Sequence, residues 1–83
     1  MAEGVYSVSE IVGTSREGVD DAIRGAVERA SKTLRNLDWF EVKQIRGHID
    51  HDQVWHFQVT MKVGFRLEEP GLRDTGKSAI DQR

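Results

Sequence analysis

An 83-residue chain in which 37% of residues are hydrophobic and 31% charged is apolar enough to fold and too short for more than one domain. It contains no cysteine, which excludes a disulfide framework and any thiolate metal site and fits a reducing compartment. A formal net charge of −2 gives no electrostatic reason to expect a nucleic-acid partner.

No apolar run approaches the ~20 residues that a bilayer crossing needs. Met1-Ala2-Glu3-Gly4 has neither the basic start nor the apolar stretch of a secretory signal. A cytoplasmic protein without membrane contact is expected. Domains this small rarely draw more than ~3–5 kcal/mol from their own core, and commonly recruit partner subunits. Size alone therefore favours self-assembly.

Val5 to Val12 reads as a first strand, with Tyr6, Val8 and Val12 on one face, Ser7 and Ser9 on the other, and Gly13 as its end. Thr14-Ser15-Arg16-Glu17 then carries a capping-box pattern, a hydroxyl followed three residues later by a carboxylate. Val19, Ala22, Ile23, Ala26, Val27, Ala30, Leu34 and Leu37 form one stripe at helical spacing, which predicts an amphipathic helix of about five turns. Asn36 is a plausible stop.

Trp39 to Ile49 reads as a second strand. Phe40 and Val42 share one parity whereas Ile45 and Ile49 share the other, so a bulge or bend is expected near Lys43-Gln44. Asp50-His51-Asp52-Gln53 is the turn into a third strand. In that strand Trp55, Phe57, Val59, Met61, Val63, Phe65 and Leu67 alternate with more polar positions. At ~3.3 Å per residue the run exceeds ~40 Å, whereas a helix of ~20 residues covers only ~30 Å. The remaining apolar surface needs a curled sheet or another subunit.

The fold class that follows is α+β, a β-α-β-β subunit with a three-stranded antiparallel sheet wrapped around one helix. Residues 1–69 form the domain and residues 70–83, polar and aperiodic, read as a flexible tail.

Assigning faces isolates the functional candidates. With Phe40 and Val42 toward the helix, Trp39 and Glu41 point away from it, and beyond the bend Arg46 and His48 do so too. His56, Gln58, Lys62 and Arg66 join them from the third strand. The non-helix face thus carries one large aromatic, Trp39, among polar groups. A lone indole there is either buried by a neighbouring subunit, as aromatics often are, or stacked on a flat ligand.

Val12-Gly13-Thr14-Ser15, Leu37-Asp38-Trp39-Phe40-Glu41-Val42-Lys43, Ile45-Arg46-Gly47, Phe57-Gln58-Val59 and Val63-Gly64-Phe65-Arg66-Leu67 together resemble the dodecin family over about Val5 to Glu68. The resemblance implies a hollow, roughly spherical homododecamer that binds riboflavin or FMN and stores or sequesters it without catalysis. It implies that flavins stack in pairs at a two-fold axis between symmetry-related tryptophans, here Trp39. Gln58 would hydrogen-bond the polar edge of the isoalloxazine, and Arg46 would meet an FMN phosphate. Some bacterial members also hold coenzyme A, for which Arg29, Lys32 and Arg66 are the candidate contacts. Trp55 and His56 depart from the more usual polar and tyrosine residues before the glutamine. The chain also extends further beyond Glu69 than most members do.

Competing signals are weaker. Gly71-Leu72-Arg73-Asp74-Thr75-Gly76-Lys77-Ser78 matches the phosphate-loop pattern, yet that loop needs a helix directly after it and only five residues follow Ser78. His48, Asp50, His51 and Asp52 could be metal ligands, although a solvated turn is the simpler reading. No nucleophile–base pair is recognisable. A flavin-dependent oxidoreductase remains the rival from another class, and a structural shell in which Trp39 only seals an interface is the third reading.

Overall fold

The structure, a computed structural model, describes residues 4–68. The order is β1 (Tyr6–Ser15), α1 (Val19–Ala30), β2 (Leu37–Asp50) and β3 (Gln53–Arg66). β3 is central: β1 and β2 both pair with it antiparallel, giving the sheet order β1-β3-β2. The expected β-α-β-β subunit is therefore present, as an open sheet. The segment read as a tail, with its phosphate-loop pattern, lies outside the described residues.

The core sits where α1 crosses β1 and β3. Val59, Met61 and Val63 alternate along β3 and are buried with Ala22 of the helix. Ile11, Val19, Ile23, Ala26, Val27, Leu34 and Leu37 pack around them. Helix and strand come into close contact at Gly13. A Cβ there would meet Ala26 Cβ at 2.8 Å and collide with the carbonyl of Ala22. Gly13 therefore does not end β1, as the sequence reading had it, but lets the helix settle on the strand. The parity read for β1 holds, but its apolar side is not the core side. Val8 and Val12 are exposed, whereas Ile11 packs inward alongside the serines.

The helix is shorter than its apolar stripe, at 12 residues. After Ala30 the backbone tightens: Lys32 and Thr33 N–H groups bond back three residues to Arg29 and Ala30. The Ser31 hydroxyl donates to the Glu28 carbonyl at 2.7 Å, taking an acceptor that continued helix would use. Asn36, with φ of 62°, completes the reversal. Leu34 and Leu37 still reach the core, from a turn and from β2. The expected capping box is not formed either. Gly18 is the N-cap, while the Ser15 hydroxyl accepts from the Glu17 N–H and donates to Asp21 in the first turn.

β2 changes register against β3 three times, between Leu37 and Trp39, Val42 and Gln44, and His48 and Ile49. The second is the expected bulge. The β2–β3 hairpin closes through His51 and Asp52, both at positive φ (52° and 63°), the signature of a two-residue type I′ turn. The helix does not cover β2, whose Phe40, Val42 and Ile45 are left exposed.

Candidate functional site

Trp39 lies on the face away from the helix by regular alternation with Phe40, which pairs with Val63 on the core side. Leu37 pairs with Phe65 on the core side, and Trp39 pairs with Gly64 on the opposite side, although the two residues share parity. Asp38, the unpaired residue between them, is what lets Leu37 turn inward next to an outward indole. A Cβ on Gly64 would collide with three atoms of the indole's benzenoid half, so the ring lies directly against the central strand. Tyr6 flanks it, with ring centroids 5.2 Å apart and planes tilted by 58°. Trp39 is nevertheless 44% exposed, so an outward part of the ring is open for stacking.

The other candidates occupy separate places. Arg46 and Gln58 are direct cross-strand partners, as expected from their shared face. They stand six residues along β3 from Gly64, about 20 Å from Trp39 at the usual rise. Arg66 is at the Trp39 end, opposite Tyr6. Arg29 and Lys32 line a third place, an open groove of about 480 Å³ between the end of α1 and β1, with Ile11, Ala26 and Leu34 in its floor. No single copy can bring all six residues to one ligand.

Between Arg46 and Trp39 the outer face carries Lys62 and Glu41, with Lys43 reaching across to Glu10 at 3.4 Å. Next to Arg46 and Gln58, on the other side, His48 and His56 stack at 5.6 Å. Trp55 was expected on the apolar core face. The third register change instead leaves it unpaired and exposed, edge-on to both imidazoles at 5.7 and 4.8 Å, with the Arg16 guanidinium over its ring. Strict alternation hid this, because nothing in the sequence marks a bulge on β3. Among the described residues no three His, Asp or Glu side chains group to hold a metal ion. At the turn His51 and Asp50 simply pair with each other at 3.3 Å.

Tyr6 and Gly64 were not among the residues singled out from the sequence. Gly64 offers no chemistry of its own, and its partner across the sheet depends on a register set by the two irregularities between the hairpin turn and Trp39, one of which, at Trp55, leaves no trace in the sequence.

Comparison with known proteins matches this arrangement to one family. The dodecin family model covers residues 5–68. A dodecin of Thermus thermophilus is 60% identical over 65 residues, covering 78% of this chain and 94% of the relative. The solved dodecin of Streptomyces davaonensis is 60% identical, with a TM-score of 0.77 over 82% of this chain and all of the other. The dodecin of Streptomyces coelicolor is 62% identical, with a TM-score of 0.77 over 83% of this chain and 99% of the other. Family model, sequence relatives and three-dimensional likeness all span the described fold, and the chain belongs to the dodecin family.

Proposed function

We propose that this protein binds flavin, as riboflavin or FMN, and stores or sequesters it in a closed homo-oligomer of twelve copies. The observation that carries the reading is Trp39: a half-exposed indole laid against the sheet on the face away from the helix. Indole is a broad, electron-rich partner for the electron-poor isoalloxazine, and offset stacking is worth about 1 kcal/mol beyond burial. With its inner face on Gly64, each indole has one face to give. A flavin pair enclosed on both sides then needs a second copy's Trp39, as a two-fold axis provides.

Gln58 and Arg46 fit the remaining chemistry. An amide presents both donor and acceptor to a ring edge that presents both, and a guanidinium suits a phosphate ester. Their distance of about 20 Å from Trp39 within one chain means that they serve a ring stacked on a neighbour's indole. The uncovered apolar face of β2 supports the same assembly from the other side of the sheet. Arg29 and Lys32 in their groove, with Arg66 from an adjoining copy, would suit the phosphates of coenzyme A as a second ligand. A flavin reservoir belongs with the cell's flavin pool, which places the protein in the cytoplasm.

A ring held between indoles cannot meet a substrate, and so the protein is read as a binding protein and not an enzyme. Titration of riboflavin into the wild type should extinguish flavin fluorescence, through electron transfer from the stacked indole. Trp39→Ala should weaken binding at least tenfold. Unchanged affinity would leave Trp39 as an interface seal only, and steady turnover of a nicotinamide donor above free-flavin background would show an oxidoreductase instead.

A further inference from the structure

We infer that Gly64 is the positioning residue of the stacking platform: its missing side chain fixes the indole of Trp39 flat on the sheet with one face outward. The inference rests on the flavin reading of Trp39, which it deepens.

Glycine in the interior of a central strand weakens the strand, since it packs nothing and orders the most flexible backbone. Gly64 has no compensating conformational reason, because its φ is outside the left-handed region where glycine is favoured. What it provides is space. It is buried, pairs with Val8 on one side and Trp39 on the other, and a Cβ on it would strike Cε2, Cζ2 and Cη2 of the indole. Any other residue would lift the ring off the sheet. Tyr6, 5.2 Å away, closes one flank. An indole held from below and from the side keeps few rotamers, so little freedom remains to be lost when a flavin stacks on it. An aromatic covering a strand glycine also occurs purely as packing. The two roles differ in what a methyl at position 64 does to the ligand.

Riboflavin affinity is measured for Gly64→Ala alone and in a Trp39→Ala background. The expected result is a loss of about tenfold for Gly64→Ala alone and no added loss once the indole is gone. Unchanged affinity in Gly64→Ala, or the same loss in both backgrounds, overturns the inference. A Trp39→Ala variant that binds riboflavin normally defeats the flavin reading instead. The positioning role is then still decided without ligand, in Trp55→Phe protein, where Trp39 is the remaining indole. Gly64→Ala should red-shift its emission and increase its quenching by acrylamide, and an unchanged spectrum overturns the inference. Should Gly64→Ala fail to fold, recovery of the fold by Trp39→Ala supports the clash, and failure of the double variant refutes it.

Discussion

Arg46 and Gln58 face each other across β2 and β3, on the face that Trp39 also uses, and parity alone placed all three correctly. Side chains whose role depends only on which face they take are readable from alternation. Residues whose role depends on a neighbour are not, and Gly64, Tyr6 and Trp55 are of that kind. The two halves of a flavin nucleotide test the division of labour. Arg46→Ala should weaken FMN binding by about tenfold, the scale of one charge-assisted hydrogen bond, while leaving riboflavin affinity within about twofold. Paired fluorescence titrations check this, and an equal loss for both ligands would move Arg46 from the phosphate to the ring or to the assembly.

β2 shows why element boundaries and faces resisted reading. One of its three register changes left a trace in the sequence, the parity switch between Val42 and Ile45. The change at Asp38 left none, because Leu37 and Trp39 are both apolar and either could have filled the core. Deleting Asp38 should restore a regular ladder in which Leu37 and Trp39, now consecutive, keep Phe65 and Gly64 as partners on opposite faces. The folded variant should therefore still quench added riboflavin about as strongly as the wild type, and a loss of quenching would show that the bulge itself is needed to aim the indole. The hairpin turn is a second local conflict. His51 and Asp52 both sit at positive φ, where L side chains meet a steric cost of roughly 1 kcal/mol or more per residue. The pair His51→Asn and Asp52→Gly supplies the residues that a type I′ turn favours and should stabilise the fold by about 1 kcal/mol, seen as a raised thermal midpoint. The helix erred in the opposite direction. Its apolar stripe continues through Leu37, but Ser31 and Thr33 turn their hydroxyls onto its last carbonyls and the chain leaves the helix before the stripe ends.

At the scale of the whole molecule, the sheet is apolar on more surface than one helix can cover. α1 seals Val59, Met61 and Val63, all essentially inaccessible, and leaves Ile45 of β2 at 55% exposure in line with Phe40 and Val42. The length mismatch between strand and helix anticipated such a surplus, though not that it would fall on β2. If that face is where copies meet, it also controls the ligand, because the groups proposed to hold one flavin stand too far apart in one chain. Ile45→Glu places a charge at the uncovered face without touching Trp39, Gly64, Arg46 or Gln58. It should reduce the particle to single or paired subunits by native mass measurement and abolish quenching of added riboflavin in the same sample. The two losses need to occur together. A dispersed variant that still quenched flavin would mean that one copy's indole suffices, and the composite site would have to be abandoned even though the assembly surface had been correctly found.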